Sequence, residues 1–333
     1  GANVKYLLDF DQQFPDVKTI MMMENYRSTP QILIVCNSLI SKNKMRMKKD
    51  LIPQRPDGVN VVCHLAEDAE SEAKWIVKNI ETLHQTGIDY KDMTILYRAH
   101  YVTRTIEEVF LKAKIPYQIY SGVQFFGRME IKDTLCYLRM IVYKDDISFR
   151  RICNVPKRNI GIRRMAFLED YTKTQGGSLY DALVKNIDNE FFMGTQARAF
   201  IELIESFASG YEDRPISEVL TDILNQSGYE KMLRTEGSQE RLDNLAELKQ
   251  SVYEFETSAG EETNLEAYLN NVAMFSNMDM ADAKDRVKMM TVHTAKGLEF
   301  KYVFLCSMSE GIFPSKKTNT FEAMEEERRL AFV

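Results

Sequence analysis

The sequence predicts an α/β protein: a parallel-sheet domain, discontinuous in the chain, interrupted by a mostly helical insertion. Three observations predict it. Short apolar runs alternate with amphipathic helical patterns over residues 1–122, the grammar of a parallel sheet covered by helices. Over residues 123–282 strands become rare and helical periodicity takes over. Strand patterns then return at Val287 and Tyr302, so the helical block interrupts the first domain rather than following it.

The elements follow in order. Thr19–Met23 reads as a buried strand leading into the polar loop Asn25-Tyr26-Arg27-Ser28. Pro30 then opens a helix, because the first helical turn leaves its amides unpaired and proline has none to waste. Val59–His64 reads as a strand, and Asp68–His84 as a helix with Ala69, Ala73, Ile76, Ile80 and Leu83 on one face. Thr94–Tyr97 is a strand candidate, followed by a helix with Val102, Ile106, Val109, Phe110 and Ala113 inward. In the insertion, Ile131, Leu135, Leu138 and Ile141 form one apolar stripe and Leu245, Leu248, Val252 and Phe255 another. Loops are expected at Gly176-Gly177-Ser178 and Ser258-Ala259-Gly260. The expected division is 1–122 with 283–333 as one domain and 123–282 as the other.

Composition bounds what these domains do. With 333 residues, 44% hydrophobic and 28% charged, the chain is an ordinary globular protein of about two domains. No apolar run approaches the roughly 18 residues of a membrane span, and the start lacks a signal-peptide pattern. Five scattered cysteines without a C-x-x-C indicate neither a disulfide framework nor a zinc site, so no metal ligands are assigned; this fits a reducing cytoplasm. The net charge of −6 argues against binding nucleic acid by bulk charge, although Lys42, Lys44, Arg46, Lys48, Lys49 and Arg55 cluster early.

Two loops carry chemistry. Thr291-Val292-His293-Thr294-Ala295-Lys296-Gly297-Leu298-Glu299-Phe300 links a strand to the apolar run from Tyr302 to Met308, at a sheet edge where ligands bind in open α/β folds. It offers an imidazole, a hydroxyl, a cation, a carboxylate and a glycine that permits close backbone approach. Tyr26 and Arg27 offer an aromatic face for a base and a guanidinium able to grip a phosphate bidentately. The plainer alternatives are a core-packed tyrosine, a surface ion pair and an unliganded turn.

The loop around Lys296 resembles motif V of the UvrD/Rep/PcrA group of superfamily-1 DNA helicases. Glu24-Asn25-Tyr26-Arg27-Ser28-Thr29 resembles motif IV, Ile95-Leu96-Tyr97-Arg98 motif IVa, and Glu326-Glu327-Arg328-Arg329-Leu330-Ala331-Phe332-Val333 the start of motif VI. Phe125–Asp133 and Asn154–Gly161 are similar too, so the resemblance runs nearly the length of the chain. It implies a second RecA-like motor domain carrying an inserted helical domain, conventionally 2B, in a cytoplasmic, ATP-dependent 3′ to 5′ helicase of DNA repair and replication. It implies that Tyr26 stacks on adenine, Arg27 reaches the γ-phosphate as the catalytic cation, and Glu299, beside Gly297, holds the ribose. Arg98, His293, Thr294 and Lys296 are implied contacts to single-stranded DNA. Lys157, Arg158 and Gly161, with Arg163 and Arg164 nearby, are implied contacts to the duplex junction. His100 stands where the family commonly has Asn, which leaves a strand contact there unassigned.

Several parts of an ATPase are missing. None of the 15 glycines is followed by lysine, so there is no phosphate loop, and no acidic block resembles the family's Mg²⁺ ligands. Gly1-Ala2-Asn3 reads as a cut inside a longer protein, and the chain stops short of the later motif VI arginine. The expectation is one wall of an ATP·Mg²⁺ site, with the metal ligands in an N-terminal motor half, and a fragment that does not hydrolyse ATP alone. Expected partners are that half, DNA, and repair or replication proteins. Two rival readings stand beside it: a non-catalytic DNA- or partner-binding module with a degenerate helicase fold, and a helicase-nuclease subunit.

Overall fold

The computed structural model describes residues 5–258, 263–276 and 284–333. The chain divides into two compact units, one of Gly1–His100, Lys112–Gly122 and Ala283–Val333, the other of Tyr101–Leu111 and Val123–Asp282. The expected loop at Ala259-Gly260, the opening Gly1-Ala2-Asn3 and the 282/283 boundary lie outside the described residues.

The first unit is built on parallel strands. Strands β1 (Glu24–Asn25) and β2 (Ile52–Pro53) pair with each other. A four-stranded sheet follows, made of β3 (Met93–Tyr97), β4 (Tyr117–Ile119), β5 (Val287–Thr291) and β6 (Tyr302–Leu305), in the order β4-β5-β3-β6 with every pair parallel. β3 and β5 occupy the centre, and their apolar side chains are buried almost throughout, as strands covered on both faces must be. The register sets Tyr97 opposite Thr291. Both central strands therefore end at the same level.

The helices here obey local rules. In Ala69–Gln85, the Asp68 carboxylate accepts the Ser71 amide at 2.7 Å as N-cap, and Ala73, Ile76, Val77 and Ile80 are buried; of the other residues expected on this face, Leu83 is half-buried and Ala69, in the first turn, is exposed. The hydrogen bond from Ser71 holds the Asp68 carboxyl below its usual range. Pro30 begins the helix Pro30–Ser41. Two expected strands do not form: Thr19–Met23 and Val59–His64 are mostly exposed and lie outside the strands. Their β-branched and apolar composition suits a strand, but a strand is made by its neighbours; of these residues only Met23 is reached by a ladder, its carbonyl accepting the Ile52 amide at 2.8 Å where β1 begins.

The C-terminal helix Phe321–Phe332 is strapped down by one carboxylate. Glu325 is fully buried; it accepts the amides of Lys44 and Met45 and the Arg329 guanidinium at 3.1 Å. Asn43 donates to the Glu325 carbonyl at 2.9 Å. Here a buried acid does the work of a helix partner.

The second unit is helical, around a core that includes Phe125, Tyr137, Phe149, Phe200, Leu220 and Leu248. Both expected stripes point inward, with Leu135 and Phe255 at its margin. The helix Thr103–Lys112, read from sequence as a cover for the sheet, falls almost wholly in this unit. Its charges explain the difference: Arg104 is buried against Glu108, Glu247 and Glu254 at 2.7–3.1 Å. Burial alone would disfavour that cation, but the carboxylates more than offset it and raise its pKa. Glu107 accepts the Phe125 amide.

Glu325→Ala leaves the Lys44 and Met45 amides without their acceptor and takes one of several from Arg329, which predicts a loss of about 2–3 kcal/mol in urea unfolding. A loss below about 0.5 kcal/mol would show that the strap is dispensable.

Candidate functional site

The end of the sheet puts the two motif-bearing chains side by side. Because Tyr97 and Thr291 close the ladder, the Val292 amide donates to the Tyr97 carbonyl at 2.9 Å, and Arg98 leaves β3 next to the loop that leaves β5. That loop is a succession of tight turns. The Ala295 amide donates to Thr291, Leu298 to Ala295, and the Thr294 amide to the Thr291 hydroxyl at 3.2 Å. The Thr294 hydroxyl lies 3.1 Å from that of Thr291. Gly297 has φ +84° with open space around it, so it is the backbone conformation, not crowding, that calls for glycine. His293 and Lys296 stand exposed on the loop.

At one end of this loop, Arg98 is gripped by Glu327 of the C-terminal helix. Its Nε lies 3.0 and 3.1 Å from the two carboxylate oxygens and Nη2 2.8 Å from Oε1, with the side chains 24% and 11% exposed. His293 senses this neighbourhood: partial burial, then the Arg98 charge, press its pKa below the usual 6.5, while Glu327 pushes the other way. His100 instead turns to Tyr97, Nδ1 lying 3.3 Å from the phenol oxygen.

At the other end, Glu299 meets Arg27. The Asn25 side chain accepts the amides of Arg27 and Ser28 at 3.1 and 2.9 Å, a turn that Asn favours. Arg55 braces the Arg27 carbonyl at 2.9 Å. Arg27 Nε then donates to Glu299 Oε1 at 2.9 Å, both side chains well exposed at 44% and 66%. Tyr26 is 70% exposed; its hydroxyl donates to Glu24, whose hydrogen bond and charge raise the phenol pKa. Tyr26, Arg27 and Glu299 thus offer a stacking face, a cation and a carboxylate at a single surface. Among the described residues no group of three or more His, Cys, Asp or Glu could hold a metal ion, and no helix is long and apolar enough to cross a membrane.

The loop Asn154–Gly161 belongs to the second unit, and here the sequence expectation needs correction. Lys157 is exposed, and Gly161 is the N-cap of the helix Ile162–Gln175 with nothing near it. Arg158 is only 5% exposed. Its guanidinium donates to the Ile152 and Pro156 carbonyls and to the Tyr137 hydroxyl at 2.7 Å, and lies over the Phe200 ring at 4.9 Å. Its donors are consumed inside the fold, so it is not a surface cation for DNA. Arg164 is likewise turned onto the Phe191 and Asn159 carbonyls. Glu327, which sequence reasoning left without a role, is the main addition; its place in the motif VI-like run was the available signal.

The profile of the UvrD-like helicase C-terminal domain family matches residues 20–333. The chain is similar to the ATP-dependent DNA helicases PcrA of Staphylococcus epidermidis (strain RP62A) and Bacillus subtilis (strain 168), at 37% and 36% identity. It resembles that of Staphylococcus aureus (strain NCTC 8325) at 35%. Each alignment covers 100% of this chain and 47% of the relative; the chain spans about half the length of the curated relatives it matches.

An NMR titration of the chain should place the His293 midpoint below 6.5, and Arg98→Gln should move it up by removing a neighbouring positive charge. The unfolded chain holds this proton more tightly than the folded one, so His293 costs stability as pH falls below about 6.5 and costs none well above it. A midpoint unmoved by Arg98→Gln would contradict the arrangement.

Proposed function

The chain belongs to the family of UvrD-like helicase C-terminal domains, and on that premise we propose that it is the C-terminal motor region of an ATP-dependent DNA helicase. Residues 1–122 and 283–333, apart from the stretch Tyr101–Leu111 that joins the helical unit, are the second RecA-like domain, and residues 123–282 the inserted 2B-like domain. Its relatives are named ATP-dependent DNA helicases; the finer reading, 3′ to 5′ movement in cytoplasmic DNA repair and replication, comes from the family resemblance.

The observation that carries the proposal is the meeting of Arg27 with Glu299 across 272 residues of sequence. Two residues with complementary duties toward a nucleotide lie together on one face, next to an exposed aromatic ring. Tyr26 stacks on the base, Glu299 accepts from a ribose hydroxyl and Arg27 offsets the charge that develops on the γ-phosphate. Those duties require Arg27 and Glu299 to separate when the triphosphate arrives. An exposed pair is worth about 0–1 kcal/mol, so its opening costs little.

A Mg²⁺ ion would supply charge neutralisation for the triphosphate. Its ligands and the phosphate loop belong, by the family resemblance, to an N-terminal motor half. The loop 292–299 carries Glu299 at one end and His293, Thr294 and Lys296 at the other. A change at the nucleotide is thereby passed to the single-strand track through a few tight turns. Lys157 and the amides at Gly161 contact duplex phosphate.

The test is ATP turnover by this chain alone and mixed with the N-terminal half of the same protein, each with and without single-stranded DNA. Turnover is expected only in the mixture, stimulated by DNA, and reduced roughly a hundredfold or more by Arg27→Ala. Turnover by the pure chain, abolished by Arg27→Ala, would overturn the division of the site.

A further inference from the structure

We propose that Glu327 is a positioning residue, whose two-oxygen grip on Arg98 sets the direction in which the guanidinium faces a phosphate of single-stranded DNA. The inference rests on the reading of Arg98 as part of the DNA track.

A guanidinium presents five N–H donors in one plane. Glu327 occupies the edge made by Nε and Nη2. The Nη1 group and one Nη2 hydrogen therefore face the other way, in a plane that the carboxylate fixes. The root of the arginine is fixed as well, because Tyr97 ends a ladder with Thr291 and Arg98 follows it directly. A long side chain held at both root and tip has little rotamer freedom left to lose on binding. Glu327 is itself rooted, since the helix Phe321–Phe332 is tied to residues 43–45 through Asn43 and Glu325. The neighbourhood is right for a strand contact: His293, two residues beyond the end of β5, lies close enough to feel the Arg98 charge.

The rival role for this pair is simple neutralisation, and the two roles predict opposite signs. If Glu327 only cancelled the Arg98 charge, removing its carboxylate would leave a free cation and tighten DNA binding. If it orients Arg98, the same change weakens binding although the chain becomes more positive.

The experiment is fluorescence anisotropy of a labelled oligothymidine with the 333-residue chain and with Glu327→Gln, Arg98→Gln and the double variant, each checked by thermal unfolding. Each single variant is expected to weaken binding roughly three- to tenfold, and Glu327→Gln to add nothing once Arg98 is gone. Binding that tightens or stays unchanged in Glu327→Gln overturns the proposal, as does an equal loss in the Arg98→Gln background. Should Arg98→Gln bind like the parent chain, or the parent bind no oligonucleotide, the DNA-track reading of Arg98 falls and this proposal with it. If Glu327→Gln does not fold, Glu327→Asp keeps the charge but is a methylene too short for the grip. Full affinity in that variant would also overturn the proposal.

Discussion

The parallel register of β3 and β5 is the constraint on which the rest of the first unit depends. With Tyr97 opposite Thr291 and the Val292 amide on the Tyr97 carbonyl, two chain exits nearly two hundred residues apart in sequence emerge at one edge. A shift of one residue would turn every side chain of a strand to the opposite face. It would bury Arg98 or withdraw it from His293, and the carboxylate of Glu327 would lose its partner. The site is therefore a property of the ladder before it is a property of any loop.

The ion pairs around that edge differ in what they can do, and exposure separates them. Arg27 and Glu299 face water, so their attraction is screened and their pairing is weak and easily exchanged. Arg98 and Glu327 are mostly shielded and joined at two points, so breaking them costs more and holding them fixes an angle. Glu325 lies at the far end of this series, fully buried and accepting backbone amides. It behaves as part of the backbone hydrogen-bond system. One short helix thus carries an anchoring glutamate and an orienting glutamate two positions apart, on different sides of the helix, because residues i and i+2 of a helix do not face the same way.

Much of this was legible in the chain. The switch from strand alternation to helical periodicity foretold a parallel α/β unit and a helical insertion, because burial on both faces and on one stripe leave different spacings. The motif blocks located the residues at the sheet edge because loops at strand ends keep their chemistry local. What escaped was non-local. Thr19–Met23 and Val59–His64 have strand composition, but composition cannot supply a pairing partner. The helix Thr103–Lys112 has an apolar stripe fit to cover a sheet, and only the arrival of Glu247 and Glu254, far along the chain, shows where Arg104 is satisfied. The pairing of Glu327 with Arg98 spans 229 residues, and nothing in either local sequence announces it.

Arg158 shows why a basic run cannot be read as a uniform patch. Lys157, Arg158, Arg163 and Arg164 look alike in sequence, yet an arginine can bury a flat, weakly hydrated cation against rings and carbonyls where a lysine cannot do so cheaply. Once Arg158 meets the Tyr137 hydroxyl, two carbonyls and the Phe200 ring, removing it would leave several buried acceptors unpaired. Its charge is then committed to holding the loop. The same commitment gives the exposed members of the run a rigid base: Asn154 accepts the Arg158 and Ile160 amides at 2.8 and 3.1 Å, and Gln196 donates to the Arg158 carbonyl at 3.0 Å. A loop pinned at so many points presents Lys157 and the helix start at Gly161 in one geometry. The buried cation thus shapes the surface while staying away from it.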